Sequence, residues 1–235
     1  MRVVREMNNF HHYKLLTVIT AVLICVIMAF YAAKQELAAA EVEVATANSE
    51  YQAHLGHIEK SWHETPDAVG LLAILSEEAQ IAHAHAGYAI TDVEDYDNIR
   101  LHIPHVRHAI STASETGGPG KGFGVERAAQ GVADHMDYAR NTSDATDSVK
   151  LHAEHIITSA KNIVAWSNKI IRMSDQIMGG ASPIATSYYA EEVAMRTNWI
   201  LNGNDADGDG KISWVEGEGG LAQIRQHLGF IEREG

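Results

Sequence analysis

Apolar residues recur at seven-residue steps along 147–178: Val149, Ile156, Ile163, Ile170 and Ile177, with Trp166 and Met173 between them. Two α-helical turns take about seven residues, so this spacing lines one face of a single long helix and excludes the two-residue alternation of a strand. A helix with one long apolar stripe needs other helices to cover it. The same periodicity recurs over 67–90, 99–115 and 123–140, and in a fifth segment from Pro183 to about Leu201. The breaks carry turn and cap chemistry. Thr65-Pro66-Asp67 places Asp67 as an N-cap, Gly117-Gly118-Pro119-Gly120 is a turn cluster, Asn141 to Asp144 offers caps, and Gly179-Gly180 ends the longest helix. Short connections make successive helices antiparallel neighbours. The expected fold class is all-α: an up-down-up-down four-helix bundle over 67–180, followed by a fifth helix. No strand alternation and no internal repeat are evident, and the glycine-rich GPGKG of 118–122 lacks P-loop spacing.

Residues 15–33 carry no charge and lie between Lys14 and Lys34. As a helix they span roughly 28 Å, close to the hydrocarbon thickness of a bilayer. The run is longer than a secretory core, and Phe30 and Tyr31 occupy the positions where cleavage needs small residues, so an uncleaved anchor is expected rather than a removed signal. Arg2, Arg5 and Lys14 precede the run and acidic residues dominate after Lys34, which puts 1–14 in the cytoplasm and the bulk of the chain outside, periplasmic or extracellular. Residues 34–66 read as a juxtamembrane helix or stalk. The single cysteine, Cys25, falls within the span, so no disulfide framework exists. A net charge of −13 argues against a nucleic-acid partner.

Residues 205–216, Asp-Ala-Asp-Gly-Asp-Gly-Lys-Ile-Ser-Trp-Val-Glu, place carboxylates at loop positions 1, 3, 5 and 12 and glycine at position 6. This segment resembles the EF-hand calcium loop. The resemblance implies a Ca²⁺ site in the 181–235 segment. Asp205, Asp207 and Asp209 would ligate through their side chains, Lys211 through its carbonyl, Ser213 at the often water-mediated position and Glu216 as a bidentate carboxylate. The loop is single and glycines interrupt the exit, which favours a stabilising role over a sensing one.

The compositional outlier is histidine, with 14 residues. Helical phase puts His83, His102, His135 and His152 on or beside the apolar stripes of the four bundle helices, with His155 at the edge of its stripe. Counting turns from the connections brings the four to one layer, within roughly 5–11 Å of one bundle end. The expectation is one shared transition-metal site, with His155 and His105 open to a second. His85, His108 and the pair His54/His57 project more obliquely, and His108 points away from the core. Without thiolates or the Glu-x-x-His pairs of di-iron bundles, imidazole donors suit copper or zinc; a b-type haem is the next reading. Glu78, Asp134 and Asp137 are acidic neighbours, but none is marked as a general base, so binding is favoured over catalysis. A redox protein or enzyme, or an interaction subunit of a membrane complex with a protein partner and calcium alone, are the alternatives.

Overall fold

The computed structural model describes residues 24–37 and 49–234. The chain divides into two units, 1–49 and 50–235. In the first, residues 24–37 form a helix, α1, whose apolar side chains, among them Val26, Met28 and Phe30, are exposed. Of the expected span 15–33, residues 15–23 lie outside the described residues, as do 1–14 and 38–48. Among the described residues, no helix is long and apolar enough to cross a membrane.

The second unit is all-helical: α2 (Glu50–Glu59), α3 (Leu71–Ala89), α4 (Tyr96–Ile110), α5 (Val125–Asn141), α6 (Asp147–Met178), α7 (Pro183–Asn202) and α8 (Leu221–Glu234). Local signals account for three of the helix starts. Asp95, Thr146 and Ser182 cap α4, α6 and α7, each side chain accepting a hydrogen bond from the amide three residues on. Pro183 occupies the first turn of α7, where its missing amide costs nothing. The stripe on α6 is the centre of the fold: Ile156, Ile163, Ile170 and Ile177 are fully buried, and Met173 is half-buried. Helix α6 packs on α5, α7 and α8.

Three features depart from the sequence reading. First, Asp67 does not cap α3. Pro66–Ala68 is a 3-10 turn with Asp67 and Ala68 at positive φ, and α3 starts after Gly70. A Cβ on Gly70 would lie 2.6 Å from the backbone of Ile58 and Glu59, so glycine lets α3 begin against the end of α2. Second, α2 is no stalk. Leu55 and Ile58 are buried and the helix packs along α5. Third, sequential helices are not all neighbours. Helix α3 packs on both α4 and α5, while α4 and α5 scarcely touch. The 111–124 connection is long enough to cross the bundle, and the fully buried Glu78 of α3 anchors its end by accepting hydrogen bonds from the Phe123 and Gly124 amides at 3.0 and 3.2 Å.

Candidate metal centres

Two histidines three residues apart lie one turn apart on the same helix face, so their rings can reach a common point. The sequence contains this spacing at 54/57, 102/105, 105/108 and 152/155. Among the described residues, three of these pairs meet a single histidine from another helix, forming the trios His54–His57–His135, His85–His102–His105 and His152–His155–His227. The helix pairs are α2 with α5, α3 with α4 and α6 with α8. Flanking contacts show the first and third pairs to be antiparallel: Glu50 meets Asp144, and Ser148 meets Glu234.

The geometry repeats. The lone ring's Nδ1 faces the Nδ1 of both rings of the pair, at 3.2 and 3.4 Å for His135, 3.1 and 3.2 Å for His85, and 3.0 and 3.3 Å for His227. Metal–nitrogen bonds of the usual length at tetrahedral angles set donor nitrogens about 3.3–3.4 Å apart. An aromatic ring completes each centre. Three residues after the lone histidine stand Tyr138, Tyr88 and Phe230, each 5.1–5.4 Å from the first ring of the pair. Histidine followed three residues later by tyrosine or phenylalanine occurs in this sequence only at 85, 135 and 227. The unit is therefore a two-helix arrangement used three times: His-x-x-His on one helix, His-x-x-aromatic on the other.

The electrostatics favour neutral rings. Burial, then the neighbouring imidazoles, push His135 and His227 down to about 4. Burial also lowers His57, His85, His102 and His155, again reinforced by their ring neighbours. At neutral pH the lowered rings carry lone pairs rather than charge, as a metal ligand must. Three nitrogens with no carboxylate or thiolate suit ions that prefer imidazole, and three donors leave a coordination position open. Nitrogens this close leave no space between them for a haem macrocycle.

The histidines expected to share one ion are distributed otherwise. His102 joins the second trio, His135 the first, and His152 and His155 the third. His83 belongs to none and lies 3.2 Å from the Thr197 hydroxyl. His155 pairs with His152 and His227, not with His105. His108, expected to face away from the core, is buried and donates from Nδ1 to the Glu115 carbonyl at 3.0 Å. His54, His57, His85 and His105 are ring neighbours in trios, and nothing in helix periodicity singles out His227. The repeated three-residue spacing was the available signal. Phase analysis aims side chains at a bundle axis, whereas these rings meet at seams between paired helices. Of the acidic neighbours, Asp137 bonds Arg140, Asp134 bonds Gln130, and Glu78 accepts two backbone amides on Oε1 while its buried Oε2 has no hydrogen-bond partner.

The 205–216 loop connects α7 to α8. Asp205, Asp207 and Asp209 present carboxylate oxygens within 4.8 Å of one another and fold the loop by accepting amides of Gly208, Gly210, Asp209 and Lys211. Lys211 and Glu216 are exposed, and Glu216 lines a separate cleft with Lys161 and Lys169. The carboxylate turned towards the loop is instead Glu218. It is buried, accepts hydrogen bonds from the Ser213 hydroxyl and amide at 2.7 and 2.9 Å, and is held below the usual carboxylate range by those bonds. Ser213 thus commits its hydroxyl to Glu218. No protein-family model, curated protein or solved structure matches this chain.

Proposed function

We propose that this protein binds transition-metal ions, copper or zinc, at three trihistidine centres, one ion in each. The observation that carries this reading is the threefold recurrence of converging Nδ1 atoms at ligand-like spacing. Nonligated imidazoles would not need three nitrogens pointed at one place, three times, between different helices. An open coordination position is the mark of an ion that exchanges or reacts rather than one sealed into a fold, and binding with delivery of the ion is the reading put forward. The acidic loop is a calcium site with a stabilising role; its support is the EF-hand resemblance and the three clustered carboxylates, with Glu218 better placed than Glu216 to complete it. Residues 15–33 anchor the chain in the inner membrane, with the helical unit outside, in an oxidising, calcium-containing compartment.

Elemental analysis tests the reading. The chain equilibrated with zinc or copper(II) and then desalted should retain three transition ions. His135→Ala, His85→Ala and His227→Ala should each lower the count by one, whereas His83→Ala should not. Equal retention by all four variants would refute the trios as ligand sets.

A further inference from the structure

The three centres share one design, but the third is held differently. In the first two, Tyr138, Trp62 and Tyr88 meet the trio imidazoles tilted or edge-on, at interplanar angles of 42–90°. In the third, both rings of the His-x-x-His pair are stacked. Phe230 lies over His152 at 26° and 5.1 Å, and Trp214 lies over His155 at 20° and 4.0 Å. Glu234 adds a carboxylate 3.6 Å from His152 Nε2, which favours the tautomer that leaves Nδ1 free for an ion.

Trp214 comes from the α7–α8 loop, and the loop is fastened to the helix that bears His155. The buried Asn162, two turns further along α6, donates its side-chain amide to the carbonyls of Val215 and Gly219 and accepts the Gly217 amide at 2.9 Å. Glu218 fixes Ser213, the residue before the indole. An ion leaves such a centre when one imidazole swings off its coordination axis. For His155 that motion requires the indole to lift, and the indole is carried on a loop with its own anchor points.

We propose that segment 213–219 is a clamp on the third centre, which makes its ion the slowest of the three to exchange and links it alone to the conformation of the calcium-loop segment. This inference rests on the reading of the trios as metal sites. A ligand that orders the loop would, by linkage, tighten the third ion and neither of the others.

The test uses the full chain with His85→Gln and His135→Gln, which leaves the third trio, loaded with zinc and mixed with excess chromogenic chelator. An aromatic stacking contact of ordinary strength corresponds to about 3- to 10-fold in rate. Trp214→Ala should accelerate zinc release by that factor, Asn162→Ala should do so with the indole still present, and Trp214→Phe should stay near the parent. The half-buried Trp214 can be removed without opening the core, so an unchanged far-ultraviolet circular dichroism spectrum is the expected control. Release from Trp214→Ala at the parental rate overturns the clamp while leaving the metal reading intact. Failure of the parental third trio to take up zinc overturns both.

Discussion

The metal-free protein should lose stability in mild acid because of its central imidazoles. His135 and His227 titrate near 4 in the folded chain against an ordinary value near 6.5. Their folded values are depressed, so the folded state binds fewer protons than the unfolded one as the pH falls. Above about pH 7.5 neither state is protonated and the rings contribute nothing. Between 6.5 and 4 the unfolded chain takes up protons that the fold refuses, and stability declines through that window. Below about 4 the loss is complete. The full shift is at most about 3 kcal/mol per ring. Each ring keeps a little exposure, 7% and 8%, and solvent screening reduces the effect, so about half of that is expected. By pH 5.0 the pair should therefore cost about 2 kcal/mol relative to pH 7.5. Urea unfolding of the metal-stripped full chain, followed by circular dichroism at both pH values, measures this. The double variant His135→Gln/His227→Gln should lose correspondingly less over the same interval. An equal pH-dependent loss in parent and double variant would refute the assignment of buried, neutral rings at the trio centres.

Calcium should raise the melting temperature of the chain, because binding to the folded loop stabilises it, and Glu218→Gln should blunt that response more than Glu216→Gln; the reverse order in a thermal melt would restore Glu216 as the ligand. Gly70→Ala should destabilise by at least about 2 kcal/mol, since its Cβ has no space against the α2 backbone, and chemical denaturation that shows a smaller change would contradict the close approach. A reporter enzyme fused to the C-terminus should be active only outside the inner membrane; cytoplasmic activity would overturn the inferred orientation.

Helix formation and the sharing of a face by two histidines three residues apart are local properties, set by the sequence within one element. Caps and the seven-residue stripe of α6 act within one or two turns, so α5 and α7 were legible to within two residues and α6 to the residue, whereas α3 starts four residues later and α4 ends five residues earlier than periodicity implied. Three-residue spacing likewise decides, within a single helix, that His54 and His57, or His152 and His155, share a face. It does not decide what that face meets. His105 and His108 have the same spacing, yet His105 points to His85 while His108 turns to a carbonyl of its own connection. The completing histidine comes from 17 to 81 residues away, through the pairing of α2 with α5, α3 with α4 and α6 with α8. Periodicity fixes a side chain's angle about its own helix axis and carries no information about which neighbour lies there. That choice depended on the crossing of the 111–124 connection over Glu78, on the entry of α2 beside α5, and on Gly70 allowing α3 to start where α2 stops. Only tertiary packing could gather nine histidines into three separate trios, because a cluster at a helix seam is made by two phases at once.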